Sequence, residues 1–107
     1  MNELLRTYID SLDYPEVSGA EHLDLLNLRD RIEEVMNTFS QLEQKKLQEA
    51  DKKMLTNIPV IYQEISHFIN LDNYRNKHRI SPHQWWWYLD VLSFLPNLPD
   101  DIDRSAA

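Results

Sequence analysis

At 107 residues, 42% of them hydrophobic and 27% charged, the chain has the size and composition of one globular domain. Its single glycine, Gly19, leaves no glycine-rich phosphate loop, dinucleotide fingerprint or nucleophile elbow, and the lack of cysteine removes thiol nucleophiles, cysteine-ligated zinc, iron–sulfur ligation and disulfides. The net charge of -7 opposes attraction to phosphate backbones, so direct nucleic-acid binding is not expected and a basic protein surface is the fitting charged partner.

No run approaches the roughly 18 apolar residues of a membrane span. Met1-Asn2-Glu3 opens with acid where a signal peptide needs a basic and then an apolar stretch. Together with the missing cysteines, this leads us to expect a soluble, cytoplasmic protein with no transmembrane segment.

Leucine outnumbers valine fifteen to four and tight hairpin turns have no glycines to build them, so helix is expected throughout. The first helix is predicted from Asn2 to Leu12, with Leu4, Leu5, Tyr8, Ile9 and Leu12 at helical spacing, and Tyr14-Pro15 ends it. Ser18-Gly19-Ala20-Glu21 has the form of a capping box and starts the next helix. From Leu25 the positions Leu28, Ile32, Val35, Phe39 and Leu42 step by three and four, and the stripe then slips to Leu47, Ala50 and Met54. Lys46 stands where an apolar residue is due, so the pattern reads as the core face of one long bundle helix, about 35 residues or more, and not as a coiled coil.

Pro59 lacks an amide hydrogen and bars helical geometry at Ile58, which predicts a break near residues 56–58. A third helix, 59–74, carries Val60, Ile61, Tyr62, Ile65, Phe68, Ile69 and Leu71 and is expected to be the most buried element. A polar, basic loop follows from Asn73 to Arg79. In Ile80-Ser81-Pro82-His83-Gln84-Trp85, Ser81 is placed to cap, Pro82 to take the first helical position, Gln84 to close the box and Ile80 to staple onto Trp85, which predicts a helix from 82 to about 95. Pro96 and Pro99 stop it, and residues 96–107 read as an acidic flexible tail after a single helical domain, 1–95. The expected fold is all-α: a small antiparallel bundle of about four helices with one long central helix.

On a regular helix Trp85, Trp86 and Trp87 point three ways, about 100° apart. Trp85 joins Tyr88, Leu89, Leu92 and Leu95 in a core stripe, whereas Trp87, Val91 and Phe94 form a second apolar stripe that needs a cover. Trp86 shares its side with Asp90 and Ser93, so it is expected to be exposed, and exposed tryptophans are frequent binding anchors. The basic residues Arg75, Lys77 and Arg79 stand directly before this cluster, where Arg can also lie over aromatic rings. The expected function is therefore a non-enzymatic protein-interaction module, an adaptor, inhibitor or assembly factor. It docks another protein through Trp86, Trp87, Val91 and Phe94 flanked by Arg75, Lys77 and Arg79, with a homodimer left open.

Two alternatives stay open. Glu64-Ile65-Ser66-His67 has the Glu-x-x-His spacing that places two metal ligands on one helix face. Glu34 stands thirty residues upstream, a spacing that resembles encapsulated ferritins and implies a metal site built across a dimer. Glu34 points away from the apolar seam, so Glu43, inside the apolar arc, is the better second ligand beside Glu64 and His67. The other alternative is a charge mimic in which Glu33, Glu34 and the neighbouring acids occupy the basic groove of a nucleic-acid-binding protein. His22, His78 and His83 share no ligand spacing, no catalytic triad is nominated, and no cofactor is implied.

Overall fold

Asn2 starts the first helix, its side-chain oxygen accepting the amides of Leu4 and Leu5 at 2.8 and 3.2 Å. In the computed structural model, which describes residues 1–13 and 19–93, helix α1 spans Glu3–Ser11 and buries Leu5, Tyr8 and Leu12, as its spacing predicts. The turn at Tyr14-Pro15 and the capping serine Ser18 lie outside the described residues, as do Phe94, Leu95 and the expected tail 96–107.

Helix α2, Gly19–Val35, packs against α1 on one side and α4 on the other and buries Leu25, Leu26, Arg29 and Ile32. The expected long central helix does not form. The chain tightens into a 3-10 turn at Met36–Thr38, extends at Phe39, and restarts as α3, Gln41–Thr56. The physical reason is a second capping box. Ser40 Oγ accepts the Glu43 amide at 3.1 Å while Glu43 Oε1 accepts the Ser40 amide at 3.0 Å, which satisfies two donors that a continuous helix would have paired otherwise. The break keeps Phe39 buried but turns Leu42, the next member of the apolar stripe, out to 63% exposure. Helix α3 then lays Leu47, Ala50 and Met54 into the core, and the second oxygen of Glu43 accepts the Asn2 amide at 2.7 Å, tying the starts of α1 and α3 together.

The proline break occurs where expected. Asn57 ends α3 and α4, Ile58–Ser66, begins with Pro59 in its first turn. The expected helix 59–74 is two helices, because Asn70 accepts the Asn73 amide at 2.9 Å and caps a new one. That helix, α5 (Leu71–His78), takes up most of the stretch expected as a basic loop, and its basic residues lie in the last turn, where the helix dipole favours cations. Arg79 ends it in the left-handed region at φ 53°, with the Ile80 amide reaching back to the Arg75 carbonyl at 3.1 Å.

The helix expected over 82–95 is also corrected. Gln84 Oε1 accepts the Ser81 amide, but Ser81 Oγ accepts the His83 amide in place of the Gln84 amide, so only half of the expected box forms; the chain then makes a 3-10 turn at Trp85–Trp87, leaves helical geometry at Tyr88, and closes with the short α6, Leu89–Leu92. The described residues thus hold six helices and no strand, so the class is all-α without the expected four-helix layout. Among them no helix is long and apolar enough to cross a membrane.

Gly19 is required by close approach. A Cβ there would stand 2.5 Å from the Glu64 carbonyl oxygen and 3.1 Å from Phe68 Cβ, and a backbone carbonyl cannot rotate away. Alanine favours a helix over glycine by about 1 kcal/mol, yet Gly19→Ala is expected to destabilise the fold by about 1–3 kcal/mol through overpacking of α2 on α4. Urea unfolding followed by circular dichroism reads the sign directly.

Candidate functional site

Two adjacent residues of α2, Arg29 and Asp30, organise the interior. Arg29 lies on the apolar stripe between Leu25 and Ile32 and grips Asp51 of α3 with Nε and Nη2, both at 3.0 Å, while Nη1 reaches Glu33 at 3.2 Å. Asp51 also accepts the Tyr8 hydroxyl at 2.7 Å, which joins α1, α2 and α3 through one carboxylate. Burial, reinforced by the Asp51 charge, holds the Tyr8 phenol far above its ordinary pKa, so it stays a proton donor at all accessible pH. The Arg29 guanidinium lies 4.4 Å from the centre of the Trp86 ring.

Asp30 faces the tryptophans. Its carboxylate accepts Trp86 Nε1 at 2.8 Å, Trp87 Nε1 at 2.9 and 3.1 Å, and Gln84 Nε2 at 3.0 Å. Trp86 is 1% exposed and Trp87 0%, so the expected exposure of Trp86 is corrected and the stripe headed by Trp87 finds its cover inside the fold: both are interior side chains whose polar ends meet the Asp30 carboxylate. Helical geometry would have sent neighbouring indoles about 100° apart, yet both donate to Asp30. Trp85, expected in the core, is half-buried and meets Trp86 edge to face, and Trp87 stacks on Tyr74 at 4.7 Å.

Arg75 is corrected as well. Its Nη1 and Nη2 hold Asp90 at 2.6 and 3.0 Å, Nη1 donates to the Trp87 carbonyl at 3.0 Å, and the guanidinium lies over Tyr88. The group fastens α5 to the tryptophan segment and is not offered to a partner. Lys77 and Arg79 are exposed, Val91 is 49% exposed, and Phe94 lies outside the described residues. The expected docking set is therefore not one surface.

Burial works against the Asp90 carboxylate, but the Arg75 hydrogen bonds and charge override it and hold the carboxyl below its ordinary value. A depressed carboxyl contributes stability that is present above its unfolded value, about 3.9, and is lost as pH falls through the folded value. Asp90→Asn is therefore expected to lower the urea midpoint at pH 7 and to flatten its decline below about pH 4. A series of unfolding curves across acid pH checks both limbs.

One concavity borders the pairing of Arg75 with Asp72 and Asp90. A cleft of about 360 Å³ lies at the corner between α4 and α5, with Tyr62, Phe68, Ile69 and Asp72 among its walls and Asp90 of α6 at its side. Phe68, expected in the core, is 57% exposed, because α4 ends at Ser66 and the chain turns before a further helical step can bury it. The Asp72 side chain is 71% exposed.

The residues of the metal alternative are not gathered. Glu43 is occupied by the amides of Asn2 and Ser40, which hold its carboxyl below the ordinary range, and His67 is exposed at the end of α4. Among the described residues no three His, Asp or Glu side chains converge as metal ligands. Of the acids in the charge-mimic alternative, Glu34 is exposed, whereas Glu33 is tied to Arg29 and stands 3.3 Å from His83 Nε2.

Sequence reasoning missed Asp30, Asp51 and the cleft. A signal existed for the first network: Arg29, at i+4 from Leu25 and i-3 from Ile32, sits inside an apolar stripe, where a charge requires a partner. No protein-family model matches this sequence, and comparison with curated proteins and with solved structures found no match.

Proposed function

We propose that the protein is a small non-enzymatic interaction module that docks another protein at the cleft between the α4–α5 corner and α6. The observation that carries this reading is Phe68, an aromatic side chain more than half exposed at a concave site, on a protein whose tryptophans are turned inward. Large exposed aromatics beside a cavity supply much of the binding energy at protein interfaces, since they bury area at little entropic cost. The Arg75 contacts serve this function by fastening α5, on one side of the cleft, to Asp90 on α6 at its other side.

Phe68→Glu tests the site. Affinity capture from a cell extract with wild type and variant side by side is expected to show a retained protein reduced tenfold or more by the substitution, with circular dichroism and urea midpoint near wild type. Equal retention by the two proteins, or nothing retained by the wild type, would contradict docking at this cleft. The metal and charge-mimic alternatives gain no specific support from the geometry and are not carried forward.

A further inference from the structure

From the same cleft we infer the chemistry of its occupant: a peptide segment of the partner that places an arginine or lysine against Asp72 and a large apolar side chain against Phe68. This inference rests on the docking reading above and adds the charge. The cleft is lined by two acids, Asp72 and Asp90, and by His67, with no lysine or arginine among its lining residues. Asp90 is committed to Arg75 through two bonds, and Arg75 spends a further donor on the Trp87 carbonyl. What remains for Asp72 is one long contact, 3.5 Å from Arg75 Nη2, so its largely exposed carboxylate keeps acceptor capacity toward the cleft. Asn70 spends its side-chain oxygen on the cap of α5, and Ser66 donates its hydroxyl to the Gln63 carbonyl. An exposed carboxylate in the same cleft as an exposed aromatic ring fits a cationic side chain with an apolar neighbour, the cation meeting Asp72. The net charge of -7 draws the same kind of partner at long range.

A random twelve-residue peptide display library, selected on the full-length protein, provides the probe. Recovered peptides are expected to pair Arg or Lys with a large apolar residue, and individual peptides are expected to bind Asp72→Asn and Phe68→Glu about tenfold more weakly than wild type. Glu34→Gln removes the same unit of charge from an exposed site on α2 and is expected to leave binding within twofold. Equal losses from Asp72→Asn and Glu34→Gln would reduce the effect to general attraction and overturn the inference. Peptides lost on Phe68→Glu but lacking basic residues would overturn the cationic occupant and leave the docking reading standing. Recovery no better than on an unrelated protein of equal charge would overturn both.

Discussion

Replacing Asp30 with alanine is expected to lower the unfolding free energy by about 3–5 kcal/mol, because it strips the acceptor from two buried indole N–H groups at once. Each buried donor left without a partner costs about 1–3 kcal/mol, and the carboxylate is charged, which strengthens both bonds. Gln84, half-buried, can recover water and adds little. Against a total stability of about 5–15 kcal/mol for a domain of this kind, the loss is large enough to leave part of the population unfolded at room temperature. Asp30→Asn keeps one acceptor oxygen and is expected to cost roughly half as much. Urea titration with tryptophan emission as the readout tests the pair, and a loss under about 1 kcal/mol for the alanine variant would mean that the indoles find other partners.

Arg29→Ala is expected to be comparably severe, about 3–5 kcal/mol. The guanidinium side chain is 4% exposed and pairs with both Asp51 and Glu33, so its removal leaves two partly buried carboxylates without their cation and a gap beside Trp86. The Coulomb and packing contributions can be separated. In the cycle of Arg29→Ala and Asp51→Ala, a coupling energy above about 1 kcal/mol is expected for residues joined by two hydrogen bonds. Additive losses would assign the whole effect to packing on Trp86.

The helix class, the start of α1 at Asn2 and the break at Pro59 were legible because each follows from neighbours within one helical turn. Ser40-x-x-Glu43 was equally visible, in the same form as the box at Ser18, yet the apolar stripe through Phe39 and Leu42 pointed to continuity. The stripe and the box conflict locally, and the reciprocal hydrogen bonds win. The tryptophans show a different limit. Their predicted directions assumed a regular helix, but the group that orients them lies 56 and 57 residues away in sequence, and no local spacing reveals an acid at that distance. Arg75 reads in the sequence as part of a free basic patch, whereas Asp90, fifteen residues on, takes its charge. Phe68 escaped notice as a site residue because its apolar neighbours made it look like core; only the early end of α4 exposes it.

Burial of the tryptophan pair is what places the proposed docking surface at the cleft beside Phe68 and not at the aromatic cluster. Hydrogen exchange of the three indole N–H groups, followed by nuclear magnetic resonance on protein labelled with nitrogen-15, tests it most directly. Trp86 and Trp87 are expected to exchange only through global unfolding, with Asp30→Ala releasing both, while the half-buried Trp85 exchanges much faster. Rapid exchange at Trp86 or Trp87 in the wild-type protein would contradict the account and return those side chains to the surface.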